Sequence, residues 1–173
     1  MKITLDEAVA LRGIISRRIQ DLIKERVSVS TAEAKPGEDY EKPTRTVEEV
    51  TSELNEARKD FRKLDVLMAK TNIENTINWD GNEITITEAI ELAKQLRGEV
   101  HSLKNFSSKK KQERRTNWQN VVESVIFALF DPEAYRKEAL KMERQVNKLS
   151  SNIAHKNHLV EVDFEPASKY LGD

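Results

Sequence analysis

The sequence contains no cysteine, and this absence removes several classes of function. Disulfide bonds, thiolate metal sites and cysteine nucleophiles are excluded. The chain has only five glycines and four prolines in 173 residues, and the glycines are too scattered to form a phosphate-binding loop. The first residues lack the apolar stretch of a secretory signal. We therefore expect a cytoplasmic protein, since a chain without cysteine is compatible with a reducing compartment.

Neither sign of charge dominates the sequence. Charged residues make up 34% of the chain and hydrophobic residues 38%, with a formal net charge of −1. This balance gives no overall field that would attract nucleic acid or an anionic membrane. Many charges with few glycines and prolines are typical of amphipathic helices with a solvated face. The length suits one domain with its own core.

An internal repeat is the strongest pattern in the chain. The segment TLDEAVAL at 4–11 recurs as TITEAIEL at 85–92, with threonine, glutamate, alanine and leucine in register. Further matches follow at a slightly larger offset, and they include Asn72 with Asn157. We therefore predict a single domain over 1–173 whose two halves, approximately 1–79 and 82–164, fold alike.

Four helices are predicted from apolar spacing and from helix-start signals. Thr4, Thr46 and Thr85 are each followed three residues later by glutamate, which predicts a capping box at each threonine. Asp131 followed by proline gives a fourth start. The predicted helices span 5–27, 47–72, 86–106 and 132–156. The second and fourth have apolar residues at alternating intervals of three and four, as in a coiled-coil seam. The stripe of the first helix comprises Leu5, Ala8, Val9, Ile15, Ile19, Leu22 and Ile23, and that of the third comprises Ile86, Ala89, Ile90, Leu96, Val100 and Leu103.

Short strands are predicted beside the helices. Asp80-Gly81 is typical of a two-residue type I′ turn. Segments around Ile3, Ile77, Ile84 and Val162 are expected to pair as one small sheet. The predicted fold class is all-α: an elongated four-helix bundle of two repeated helical hairpins with coiled-coil-like seams and a small β-hairpin or strand element at one end.

Segment 28–45 is predicted as a mobile loop. Segment 107–131 is a long connection, with partial helix as an alternative.

Three stretches resemble the septicolysin-like family of small bacterial proteins. They are Glu7-Ala8 with Leu11-Arg12 and Arg18-Ile19; Thr71-Asn72 with Asp80-Gly81, Ile84-Thr85 and Ala89; and the helix after Asp131 that ends with Ile153 and Asn157. Their order and spacing carry the resemblance over nearly the whole chain, although the inserts near 28–45 and 107–130 are longer than in the family pattern. The resemblance implies a helical, coiled-coil-like fold without catalytic residues. The family name implies a membrane-active, cytolysin-like protein as an alternative function.

A basic segment offers nucleic-acid binding as another alternative. Its candidates are Lys109, Lys110, Lys111, Arg114 and Arg115, with Trp118 as a stacking surface. Several cations on one face could bind phosphates, and an aromatic ring could stack on a base. Glu113 interrupts the run, so a solvated helix end is the favoured interpretation.

Candidate metal and catalytic patterns are weak. His155, His158, Glu161 and Asp163 include metal-ligand types, but no third anchored ligand is evident. The Glu-x-x-His pattern of di-iron bundles does not occur, nor does a G-x-S-x-G nucleophile motif. We predict no catalytic residues, no metal, no cofactor and no small-molecule substrate.

An apolar run in the second connection is the best candidate for a functional surface. It contains Val121, Val122, Val125, Ile126, Phe127, Leu129 and Phe130. It has about half the length of a membrane-spanning helix. These side chains would pack on the chain's own helices, cover another subunit or contact lipid, because burying them is worth several kcal/mol at about 25 cal/mol per Å². We predict a non-enzymatic, homo-oligomeric interaction protein with these residues as its candidate interface.

Overall fold

The computed structural model describes residues 1–115 and 124–172. Trp118, Val121 and Val122 therefore lie outside the described residues. The elements are β1 (Lys2–Thr4), α1 (Leu5–Ser28), α2 (Val47–Glu74), β2 (Thr76–Trp79), β3 (Asn82–Thr85), α3 (Ile86–Ser107), β4 (Gln112–Arg115), β5 (Ser124–Phe127), α4 (Pro132–Leu159), β6 (Glu161–Asp163) and α5 (Ala167–Leu171). The fold is mostly helical with small antiparallel strand pairs, which confirms the predicted class. The chain forms two compact units: Met1–Asn75 with Lys156–Asp173, and Thr76–His155. The single bundle of four helices stays a prediction.

The predicted caps fix where the helices begin. The Glu7 N–H donates to Thr4 Oγ1 at 3.1 Å, and the Thr4 N–H donates to Glu7 Oε2 at 2.7 Å. Thr46 and Glu49 exchange the same two bonds at the start of α2. At α3 the Thr85 hydroxyl accepts a bond from the Glu88 N–H at 3.1 Å, but the Glu88 side chain does not return a bond to the Thr85 N–H, so only half of the predicted capping box forms. Each such cap stabilises its helix by about 1 kcal/mol, so local sequence sets these boundaries.

The first unit contains an antiparallel hairpin of α1 and α2. Arg12 Nε lies 2.5 Å from Asp65 Oδ1, and Arg18 Nη2 lies 2.9 Å from Glu53 Oε2, so the start of one helix is beside the end of the other. The buried residues of the two helices are Leu5, Ala8, Leu11, Ile15 and Leu22 of α1 and Val50, Leu54, Ala57, Asp60 and Leu64 of α2.

The second unit contains the corresponding hairpin of α3 and the part of α4 up to His155. Lys104 Nζ lies 2.8 Å from Glu143 Oε1, and Arg97 donates to Ser150 Oγ at 2.8 Å. These contacts again pair the helices in antiparallel order. The buried residues are Ile86, Ala89, Ala93, Val100 and Leu103 of α3 and Pro132, Ala139, Val146 and Leu149 of α4.

Two residues assigned to the apolar stripes are exposed instead. Val9 is 52% exposed and Ile90 is 44% exposed. Each comes directly after a fully buried alanine, and one residue turns a helix by about 100°, which takes the side chain away from the buried face. Leu11, which the predicted stripe omits, is fully buried.

The predicted strands form, but the prediction of one small sheet is wrong. β1 pairs with β6, placing Ile3 opposite Val162, and β2 pairs separately with β3, placing Ile77 opposite Ile84. The two-residue turn joins β2 directly to β3, so these two strands pair with each other. In that turn Asp80 has a φ of 50° and Gly81 a φ of 84°, which are the positive values that a type I′ turn requires.

In its described residues, the second connection contains a strand pair rather than the alternative of partial helix. β4 and β5 are antiparallel, with Gln112 opposite Phe127 and Arg115 opposite Ser124. The sequence gives little warning of this pair, because a glutamine, a glutamate and two arginines form β4 and residues of this kind are not enriched in strands.

The structure also contains a short C-terminal helix, α5, that the sequence patterns do not predict. The Tyr170 hydroxyl donates to Asp60 Oδ2 at 2.7 Å, and Lys169 Nζ lies 3.6 Å from the same oxygen. Asp60 is only 8% exposed, so these contacts satisfy a buried carboxylate. Burial, followed by the hydrogen bond to Asp60, raises the pKa of Tyr170 above its ordinary value. The contact therefore fastens α5 to α2.

Replacing Tyr170 with phenylalanine should lower the free energy of unfolding at pH 7 by about 1–2 kcal/mol, because Asp60 loses its closest donor. Urea denaturation measures this change. The control is Tyr40→Phe, since Tyr40 is 56% exposed. The pKa of Tyr170 is higher in the folded protein than its unfolded value of 10.0. The stability advantage of the wild type over the variant is therefore complete below this unfolded pKa and shrinks as the pH rises above it. Equal stability of wild type and variant at pH 7 would contradict the contact.

Candidate interaction surface

The most exposed apolar surface of the second unit lies on the β4–β5 ribbon, defined as Gln112–Arg115 with Ser124–Phe127. All eight residues of the ribbon are exposed. Val125 is 39% exposed, Ile126 43%, Phe127 59% and Leu129, just beyond the ribbon, 96%. Val125 and Phe127 lie on one face of the ribbon and Ile126 on the other. Exposed apolar side chains grouped in this way often mark an interaction site. We call residues 124–130 the apolar segment.

An aromatic cluster ties the end of the apolar segment to the helices. The Phe130 ring lies 5.3 Å from that of Phe106 on α3 and 5.2 Å from that of Tyr135 on α4, both in edge-on geometry. The Phe106 and Tyr135 rings are also 5.3 Å apart. Such pairs add about 0.5–1.5 kcal/mol each beyond burial. Phe130 is half-buried here and supports the surface, whereas the four apolar residues before it are the exposed ones.

A groove of about 440 Å³ runs beside the apolar segment. Its lining is Lys109, Lys110, Glu113, Arg115, Ile126, Phe127, Ala128, Leu129 and Phe130. Among the described residues of this lining, apolar side chains occur together with three cations and one carboxylate. This composition suits an apolar group from a partner, with polar contacts at the border.

The two faces of the ribbon separate the predicted basic residues. Arg114 pairs with Val125 on one face, while Arg115 pairs with Ser124 on the other, because successive strand residues point in opposite directions. Lys111 is turned to Asp131, whose Oδ1 lies 3.7 Å from Lys111 Nζ. The structure therefore brings only Lys109, Lys110 and Arg115 together, at the groove.

Several charged side chains of the first unit form ion pairs with one another. Arg45 donates to Glu25 at 2.7 Å and also bonds to Glu53, which Arg18 contacts as well. The hydrogen bond from Arg45 is the main cause that lowers the pKa of Glu53. His158 Nδ1 lies 3.6 Å from Asp6 Oδ2. Within 1–115 and 124–172, no three histidine or acidic side chains converge in a way that could hold a metal ion.

Among the helices in the described part of the chain, none combines the length and the apolar character that crossing a bilayer requires.

Comparison with known proteins identifies the family of the chain. A family model described as a family of unknown function, DUF6847, matches residues 4–162. The chain belongs to the DUF6847 family. The matched region includes both helical hairpins and the whole apolar segment, so the candidate surface lies within the DUF6847 region rather than in an appended tail.

A solved structure shares the fold. It is the crystal structure of a functionally unknown conserved protein from Corynebacterium diphtheriae, with a TM-score of 0.70 and 19% sequence identity. The similarity covers 94% of this chain and 100% of that one. No curated protein matches. These findings do not indicate the septicolysin-like family, so that resemblance stays a prediction.

Proposed function

We propose that this DUF6847 protein is a non-enzymatic interaction protein that self-associates through its apolar segment. The observation that carries the proposal is the exposure of Ile126, Phe127 and Leu129 in an apolar segment whose end is held in place by an aromatic cluster. In this proposal the helical hairpins act as a scaffold, and assembly covers the segment. The cysteine-free sequence is compatible with the cytoplasmic location that the proposal assumes.

The expected affinity is modest. Fully burying a large apolar side chain is worth about 1.5–3 kcal/mol, and the exposed residues of the segment are already partly covered. Association costs about 4–15 kcal/mol in lost freedom. Four such side chains in each of two copies can exceed that cost by a few kcal/mol. We therefore expect weak, concentration-dependent association with dissociation constants in roughly the millimolar range, since about −4.1 kcal/mol corresponds to 1 mM.

The internal repeat is the second part of the proposal. Asn72 and Asn157, which match in the sequence, lie in the last turns of α2 and α4. Among the described residues, these two side chains are the ones with a buried oxygen, Oδ1, that has no hydrogen-bond partner. A shared defect at matched positions supports a common origin of the halves, because such groups are uncommon in folded proteins.

Light scattering over a range of protein concentrations tests self-association. The wild type should approach twice its chain mass of 19.9 kDa at high concentration. Leu129→Glu should weaken association by about tenfold or more, because it places a charge at the most exposed apolar position. The matched control is Val66→Glu on α2, since Val66 is 68% exposed. A monomeric mass at every concentration, or equal masses for wild type and Leu129→Glu, would refute the proposal.

Nucleic-acid binding through the basic segment 109–115 is the alternative that the groove keeps open. Lys109, Lys110 and Arg115 lie together there, so a gel-shift titration at two salt concentrations is its direct test. A shift at low salt that Lys109→Gln with Lys110→Gln removes would support it. Absence of any shift would end it. Liposome leakage at micromolar protein is the equivalent test of the cytolysin-like alternative.

A further inference from the structure

The outer edge of β5 has hydrogen-bonding groups that its own hairpin does not use. The Ala128 N–H donates to the Lys111 carbonyl at 3.0 Å, which fixes the alternation of bonded and non-bonded pairs along the ribbon. Glu113 with Ile126 is then a bonded pair. Val125 and Phe127 belong to non-bonded pairs, so their N–H and C=O groups point away from β4.

The two edges of the ribbon differ in how they are protected. β4 contains a glutamate and two arginines, and charges at an edge discourage pairing with another strand. β5 and the residue after it read Ser-Val-Ile-Phe-Ala, without a charge or a proline. An uncharged, β-branched edge is a template for strand addition. A two-stranded ribbon is also marginal in water, so an added strand on β5 would stabilise it.

We propose that two copies of the chain pair their β5 strands in antiparallel order about a two-fold axis at Ile126. The result is a four-stranded sheet in the order β4-β5-β5-β4. This inference rests on the proposed self-association and specifies its geometry. A second copy is the occupant that we infer, because pairing about a two-fold axis places the strand against its own sequence. An uncharged strand meets no like charge in that arrangement.

Hydrogen-bond geometry restricts the register. Outward-pointing residues must face each other, which allows a two-fold axis at Val125, Ile126 or Phe127. With the axis at Ile126, Val125 pairs with Phe127 of the second copy, and Ile126 lies opposite Ile126 as a non-bonded pair. Shifting the axis to Val125 would leave Phe127 and Ala128 without partners between Ser124 and Ala128. Shifting it to Phe127 would leave Ser124 without a partner inside the strand. The axis at Ile126 keeps every pair from Ser124 to Ala128 uncharged.

Cysteine cross-linking tests this register, because the chain has no cysteine of its own. Ile126→Cys in the full-length protein should form a disulfide-linked dimer under mild oxidation, since Cα atoms of a non-bonded pair are about 4.5 Å apart and disulfides need about 4.4–6.8 Å. Val125→Cys alone and Phe127→Cys alone should cross-link slowly. A mixture of those two variants should cross-link readily. Val66→Cys, exposed on α2, gives the rate of random collision.

The outcomes separate the inference from the proposed function. Cross-linking of Ile126→Cys at least about tenfold faster than Val66→Cys, together with the mixture result, supports the register; disulfide formation requires close Cα atoms. Self-linking of Val125→Cys with an unreactive Ile126→Cys overturns the register and leaves self-association intact. If none of the cysteine variants cross-links although light scattering shows a dimer, the proposed pairing of β5 strands is wrong. A monomeric wild type overturns both.

Discussion

Replacing Phe164 with alanine should lower the free energy of unfolding by about 3–5 kcal/mol. Phe164 is among the largest side chains that are completely buried, and it follows β6 in the first unit. Its N–H donates to the Met1 carbonyl at 2.9 Å, which fixes the residue beside β1. Removing the ring leaves a cavity in the region that joins the two ends of the unit. Chemical denaturation measures the loss.

Phe127→Ala is the matched control for this prediction. Phe127 is 59% exposed, so the same substitution should change the free energy of unfolding by less than about 1 kcal/mol. The comparison separates an aromatic residue that stabilises the fold from one that we assign to a surface. A loss below 1 kcal/mol for Phe164→Ala would contradict the described core.

Replacing Phe127 and Leu129 together with aspartate should weaken self-association by about a hundredfold or more, while changing the free energy of unfolding by less than about 1 kcal/mol. The two side chains are 59% and 96% exposed, so the folded monomer does not depend on them. Four carboxylates would meet in the assembled pair, and like charges in a desolvated contact repel strongly. Sedimentation equilibrium gives the dissociation constants.

The control double variant is Val27→Asp with Val66→Asp. Both valines are exposed, at 65% and 68%, and both lie on the helices of the first unit. This variant should associate as the wild type does. Loss of association in the control alone would place the interface on those helices instead of the apolar segment.

The sequence predicted those features that local rules determine. Thr4 and Thr46 begin helices because a hydroxyl and a glutamate three residues later satisfy the free N–H groups of the first turn. Asp80-Gly81 makes its turn because the two residues tolerate positive φ. Neither feature depends on distant parts of the chain, so each can be predicted from a few neighbouring residues.

Features that depend on distant contacts could not be predicted in the same way. From the sequence, Asp60 is expected to be a solvent-exposed residue of a helix. In the structure it accepts a hydrogen bond from Tyr170, which is 110 positions later in the chain. β4 has a polar composition that gives no strand signal, and only its pairing with β5 defines it. The apolar run is evident in the sequence. Which of its backbone groups face outward depends on its forming a strand, and the pairing register with β4 supplies that information.

Hydrogen exchange measured at increasing protein concentration tests the central claim most directly, because it reports the surface without altering it. We predict that amides of Val125 and Phe127 become more protected as concentration rises, while those of the turn at Asp80-Gly81 stay unchanged. Protection that is independent of concentration throughout residues 124–130 would contradict an interface on the apolar segment.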